Sequence, residues 1–115
     1  MKNPKDTTNY TGKVDDKQFA AWQSQHGEIK EIHLETPGET LVFYLKPPQR
    51  EHYADGLALI NQSKDLQVGE MLIRNLWLGG DERCKPDSGA DIKITAGAAL
   101  IAKGILLVYG GYLKN

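Results

Sequence analysis

The stretch "EIKEIHLETPGETLVFYLKPP", residues 28–48, decides the fold because it holds two strand patterns around a turn signal. In the first pattern Ile32 and Leu34 share one face, which Lys30 does not fit. The second pattern alternates bulky apolar residues between two faces: Leu41, Phe43 and Leu45 on one, Val42 and Tyr44 on the other. Because "TPGE" between them is typical of a turn, the stretch predicts a two-stranded antiparallel hairpin.

The residues before the hairpin predict a short helix over 16–26. An aspartate at 15 or 16 suits the N-cap, Phe19 and Trp22 share a face, and Gly27 follows where the helix would end. The neighbours of Trp22 are apolar, which favours core packing for its ring.

Two helices are predicted after the hairpin. Pro48 suits the first position of a helix over 49–63, because a proline there lacks only an amide that would be unpaired. "NQSKD" interrupts the pattern, and a helix over 67–78 follows. Its broad apolar face contains Val68, Met71, Leu72, Ile73 and Leu76. We expect Gly79 or Gly80 to end this helix in a left-handed conformation.

The segment 94–113 is apolar apart from Lys103, and it predicts a last helix rich in alanine and glycine. Its apolar residues surround most of a helix, so it is either a central core helix or a helix with a face kept for a partner. Its length would also permit a membrane span. Lys103, the Gly110–Gly111 pair and the lack of a second hydrophobic segment weigh against that interpretation.

Taken together, the patterns predict an α+β fold: a helix, a two-stranded antiparallel hairpin, then a three-helix half packed on it. A lone hairpin is marginal in water, so the helices should cover the Leu41, Phe43 and Leu45 face. The 115 residues suffice for one core, and we expect a single domain over 15–115 after a flexible polar tail over 1–14. That tail lacks the apolar run of a secretory signal, and the chain has one cysteine, which fits a cytoplasmic protein.

Composition argues against several classes of partner. The 14 basic and 15 acidic residues give a formal net charge of -1, so we expect no attraction to nucleic acid or to anionic lipid. "GGDERC" at 79–84 is not a phosphate-binding loop, because its glycines follow a helix and no Gly-Lys-Ser/Thr occurs. The sequence predicts no cofactor.

The loop over 79–91 offers one alternative function, a small metal-binding or regulatory module. Its carboxylates are the oxygen ligands that a hard cation prefers: Asp81, Glu82, Asp87 and Asp91. The spacing is not that of an EF-hand, and Arg83 and Lys85 lie among the acids. The three histidines fall on separate elements, at 26, 33 and 52, and spacing alone leaves open a spatial triad with Cys84.

The order of parts over 15–84 resembles the small tail assembly chaperone-like proteins of tailed bacteriophages. The markers are "HGEIKEI" (26–32), "FYLKPP" (43–48) and "LGGDE" (78–82). The resemblance stops before the C-terminal segment. It implies a protein that is not an enzyme, binds tape-measure or tail-tube proteins during assembly in the host cytoplasm, and forms homo-oligomers.

We therefore expect a phage assembly protein that acts through helix faces, with a structural virion component as the nearest alternative. The resemblance places its binding surface in the helical half, and the apolar last helix adds to it. The candidate partner-binding residues are Leu72, Leu76, Trp77, Leu100 and Leu106.

Overall fold

The computed structural model describes residues 9–114 of the chain. In chain order the elements are β1 (Tyr10–Thr11), α1 (Asp16–His26), β2 (Lys30–Thr36), β3 (Glu39–Leu45), α2 (Arg50–Asn61), α3 (Asp65–Leu76), β4 (Trp77–Gly80), a 3-10 turn (Glu82–Cys84) and α4 (Ile92–Lys103). These helices and a mixed four-stranded sheet confirm the predicted α+β class.

The predicted hairpin is formed by β2 and β3. The pairing sets Ile32 opposite Phe43 and Leu34 opposite Leu41, so the apolar residues of both strands share one face. Gly38 in the connecting turn has φ 87, a conformation that glycine adopts without a steric cost.

Strand β3 is the centre of the sheet and is buried on both faces. Its face with Leu41, Phe43 and Leu45 is covered by α3 and α4, as predicted for the helical half. Its opposite face is covered by α1, because Phe19 and Trp22 pack around Val42 and Tyr44. The ring centroids of Trp22 and Tyr44 are 5.3 Å apart, which confirms the packing role of this tryptophan.

The ordered fold begins before the predicted boundary at residue 15. Strand β1 pairs in parallel with the start of β3, and the Thr40 amide donates to the Asn9 carbonyl at 2.7 Å. The Val14 amide donates to the hydroxyl of Tyr44 at 3.2 Å. These contacts are single hydrogen bonds and a two-residue pairing, which produce no apolar periodicity in the sequence. Residues 1–8 of the predicted tail lie outside the described part.

The predicted end of the third helix, at residue 78, is wrong. The helix stops at Leu76, and residues 77–80 form β4, which pairs antiparallel with the end of β3. Gly80 does take a positive φ, 122, but inside this strand and not as a helix cap. A Cβ on Gly80 would be 2.4 Å from Cα of Phe43, so the close approach of β4 to β3 requires glycine there.

The last helix is also shorter than predicted, because α4 ends at Lys103 and residues 105–114 form neither helix nor strand. Helices α3 and α4 run antiparallel, and Lys103 forms an ion pair with Asp65, the first residue of α3, at 2.7 Å. Because α3 begins at Asp65, a continuation of α4 beyond Lys103 would not pack against α3. Within residues 9–114, none of the helices has the length and apolar character needed to span a membrane.

Helix α2 begins two residues later than Pro48. Gln49 is its N-cap, and the Gln49 amide donates to Nδ1 of His52 at 2.9 Å. His52 therefore serves a structural purpose in the first turn of the helix, which accounts for its burial.

Candidate functional site

A surface groove of about 520 Å³ lies between α3 and the loop over 82–88. We call it the Trp77 groove. Apolar side chains of Ile73, Trp77 and Pro86 line it together with charged side chains of Arg74, Arg83, Lys85, Glu82 and Asp87. An apolar surface with a few converging polar groups is the usual composition of a binding site.

The ring of Trp77 contacts one aromatic ring and one cation. It stacks on Phe43 with 5.6 Å between ring centroids and an interplanar angle of 11°. Nζ of Lys85 lies 4.8 Å from the centroid of the tryptophan ring and pairs with Glu82 at 2.7 Å. The strand conformation of β4 turns Trp77 toward Phe43, and the ring remains half-buried and accessible from the groove.

One rim of the groove is an ion pair between α3 and the loop. Nε and Nη2 of Arg74 donate to the two carboxylate oxygens of Asp87 at 3.0 and 3.1 Å. The hydrogen bonds from Arg74 lower the pKa of Asp87 below its ordinary value. Both side chains are largely exposed, so water and salt screen this pair and a charged ligand can replace either member.

A second ion cluster anchors the loop to the sheet. Arg83 donates to Asp81 at 2.7 Å and to Glu39 of β3 at 3.2 Å. Hydrogen bonds from Arg83 lower the pKa of both carboxyls, and the hydroxyl of Thr11 lowers that of Glu39 further. This cluster joins β1, β3 and the 3-10 turn, so it positions the loop side of the groove.

The carboxylates of the 79–91 loop are each engaged with a different protein group. Asp81 faces Arg83, Glu82 faces Lys85, and Asp87 faces Arg74. Asp91 caps α4 by accepting a hydrogen bond from the Lys93 amide at 2.9 Å. Over residues 9–114, no group of three or more His, Cys, Asp or Glu side chains is arranged to hold a metal ion. The structure therefore does not bring the proposed metal ligands together.

Cys84 is fully buried in the core. Burial raises the pKa of its thiol to about 12, so the reactive thiolate is scarce at neutral pH. The histidines at 33 and 52 have other partners: His33 hydrogen-bonds Glu31 at 2.7 Å, and His52 accepts from the Gln49 amide. This environment does not favour a nucleophilic role for Cys84.

The structure separates the five predicted partner-binding residues. Leu72 and Leu76 are buried in the core, because their face of α3 packs on the sheet and on α4. The prediction that these two leucines form a binding surface is wrong. Leu106 is half-buried against Gly56 of α2, Leu100 is 55% exposed on α4, and Trp77 lies in the groove.

Sequence reasoning named the charged loop residues of the groove only as part of a candidate metal-binding loop, and it missed Arg74 and its pairing with Asp87. Arg74 and Asp87 are 13 residues apart and on different elements, so no local spacing joins them. One local signal indicated that Trp77 lies in a strand. Tryptophan favours strands, and two glycines that disfavour a helix follow at 79 and 80. Comparisons of the chain with protein-family models, with curated proteins and with solved structures found no match.

Proposed function

We propose that the protein is a non-enzymatic assembly protein that binds a segment of a protein partner in the Trp77 groove. The observation that carries this proposal is an accessible tryptophan ring in a groove of about 520 Å³ with arginine and lysine side chains at its rim. Tryptophan and arginine are enriched among the residues that dominate binding energy at protein interfaces.

The chemistry of the groove indicates the kind of segment that fits. Trp77 and Pro86 provide an apolar surface for one large side chain of the partner. Arg74 and Lys85 pair with exposed carboxylates of this chain, which an acidic residue of the partner can replace. We infer a partner segment with an apolar or aromatic anchor and a neighbouring Asp or Glu.

The resemblance to tail assembly chaperones supplies the candidate partners, which are the tail-tube and tape-measure proteins of a phage. The inaccessible thiol of Cys84 and the engaged carboxylates of the 79–91 loop support binding over catalysis as the role of this region. A structural virion component is the alternative, and it would use the same groove but remain in the finished particle.

The experiment is co-expression with the tail-tube and tape-measure proteins of the phage that carries the gene, followed by size-exclusion chromatography. We expect a complex with the wild-type chain that Arg74→Ala/Lys85→Ala weakens by about tenfold or more, since two rim contacts are lost. The matched control is Lys17→Ala/Arg50→Ala, which removes the same two residue types from exposed positions outside the groove. No complex, or equal loss in both variants, would overturn the proposal.

Analysis of purified particles of the same phage distinguishes an assembly chaperone from a structural component. An assembly chaperone is absent from purified particles, whereas a structural component is found there in a fixed copy number. Mass spectrometry of purified particles measures this directly.

A further inference from the structure

Residues 107–113, "LVYGGYL", form an exposed apolar stretch that we call the C-terminal segment. Tyr109, Tyr112 and Leu113 are 94%, 88% and 89% exposed. No backbone hydrogen bond joins residues 108–114 to another part of the described chain. Valine and tyrosine favour strands. An exposed apolar stretch without backbone partners is stabilised when it pairs with a sheet edge, because the edge supplies hydrogen-bond partners and an apolar contact surface.

The described sheet has one long open edge. Strand β2 is the last strand in the sheet order, and its outer side carries no strand over the seven residues Lys30–Thr36. Such an edge presents unpaired amides and carbonyls to any extended chain that can align with it. The C-terminal segment is also seven residues long, so the two can pair over their full lengths.

A groove lies beside the end of this edge, between β2 and the first turn of α4. It measures about 260 Å³, and Leu34, Pro37 and Ile94 form its apolar wall. A strand added outside β2 would direct alternate side chains toward this groove. The groove has room for one large side chain, and the segment offers two tyrosines and two leucines.

Charge indicates which extended chain fits the edge. Glu31 and Glu35 are exposed on β2, and two copies of β2 paired antiparallel about His33 would place each glutamate opposite another. That pairing is repulsive. The C-terminal segment carries no charge, so it can pair with the same edge without this repulsion.

We propose that the C-terminal segment of one copy adds as a strand to the outer edge of β2 in a second copy, so that two copies exchange segments in a symmetric dimer. Within one copy the segment starts away from this edge. Leu106, the residue before it, packs on Gly56 of α2, whereas β2 is covered by α4. In this dimer the C-terminal segment of each copy gains backbone partners, and so does the open edge of β2 in each copy. Two-fold symmetry requires such a self-complementary arrangement.

The test is sedimentation velocity of the full chain over a concentration series. We expect a monomer–dimer equilibrium that Val108→Pro/Tyr109→Pro weakens by about tenfold or more, because proline lacks the amide needed for pairing. Successive amides of a strand point to opposite sides, so one of the two prolines always removes an amide on the paired side. Residues 108–114 make no backbone hydrogen bond to the rest of the described chain, so at a concentration where both proteins are monomers this variant should keep the wild-type circular dichroism spectrum and melting temperature. Leu57→Asp is the control, since it removes an exposed leucine of α2 and should leave the equilibrium unchanged.

Cross-linking identifies the acceptor edge. In a Cys84→Ala background, copies with Tyr109→Cys are mixed with copies with His33→Cys and treated with a short bismaleimide. We expect a mixed dimer band, and none when Ala20→Cys on α1 replaces His33→Cys. Three results would overturn the proposal. The first is a monomer at all concentrations, and the second is a dimer that the proline substitutions leave intact. The third comes from a chain that carries both Tyr109→Cys and His33→Cys: a cross-link only within that chain. A monomer that binds phosphatidylcholine–phosphatidylglycerol vesicles through Tyr109 would also overturn it, because the segment would then face lipid. None of these results depends on the Trp77 groove, so the two proposals fail separately.

Discussion

Gly69 of α3 lies directly against Ala99 of α4: a Cβ on Gly69 would be 1.7 Å from the Ala99 carbonyl oxygen. The two helices cross at this point with no side chain between their backbones. The neighbouring residues of α4 on the same stripe, Ala98 and Ala102, are also small and fully buried. This contact brings α4 close enough to cover β2, so the helical half depends on one glycine.

Gly69→Ala should therefore destabilise the fold although alanine favours helices. The added methyl group meets backbone atoms, and one helix must shift away from the other. We expect the free energy of unfolding to fall by about 1–3 kcal/mol, the usual cost of overpacking, measured by urea denaturation. Gly110→Ala is the control, because a Cβ there meets nothing within 4 Å. Equal stability of Gly69→Ala and wild type would show that the crossing is looser than described.

Tyr44→Phe should loosen the residues before α1. The Tyr44 hydroxyl accepts the hydrogen bond of the Val14 amide, and phenylalanine would leave that amide without its partner. We expect a loss of about 1 kcal/mol in unfolding free energy. Amide hydrogen exchange should be faster at Val14 than in wild type. Tyr53→Phe on α2 serves as the comparison, and a similar effect from both changes would contradict a specific role for the Val14 contact.

Arg83 should make stability depend on pH in the acid range. The folded pKa values of Asp81 and Glu39 are lowered from ordinary values of 3.8 and 4.5. The unfolded chain therefore takes up protons first as the pH falls, and this contribution to stability is present above about pH 4.5 and is lost as the pH falls through the folded values. We expect Arg83→Gln to have a shallower loss of stability between about pH 5 and pH 3 than wild type.

Denaturant midpoints across this pH range measure the Arg83 effect. Arg50→Gln changes the same residue type at an exposed position of α2 and is expected to follow the wild-type curve. If the stability of the Arg83 and Arg50 variants changes equally with pH, Arg83 does not lower the pKa values of Asp81 and Glu39.

Cys84 should be inert in the folded protein. Its raised pKa and full burial predict no reaction with a disulfide reagent such as DTNB at pH 8, and complete reaction in guanidinium chloride. The absorbance of the released thiolate reports both results. Rapid labelling without denaturant would mean that the 79–91 loop opens under native conditions.

Much of the fold follows from local patterns. The hairpin, α1, and the cores of the helices at 50–61 and 65–76 match the prediction because strand alternation, helical spacing and turn residues are each set by neighbours in sequence. The apolar face of α3 was identified correctly. Its use as a partner surface was not, because spacing shows which residues are buried together and not what buries them.

The groove illustrates what local patterns lack. Its tryptophan was identified from the sequence, but Arg74, Lys85 and Asp87 meet around it only because the chain turns back from α3 through β4 and the loop. Ion pairs between residues 13 positions apart leave no periodic signal. Residues 77–80 were predicted as the end of a helix and not as a strand, so the direction of the Trp77 side chain could not be inferred.

By itself, the sequence determined the α+β class, the hairpin, and the apolar faces that form the core, because these follow from hydrogen bonding and burial over short spans. Only the tertiary structure decided the strands β1 and β4, the end of α4 and the C-terminal segment. Strands β1 and β4 are short and pair with backbone groups about 30 or more residues away along the chain. Helix α4 ends where α3 begins, at the Lys103–Asp65 pair. Ile105 and Leu106 still pack against the core, and the apolar residues from Leu107 onward are left exposed because the folded chain supplies no strand or helix that buries them.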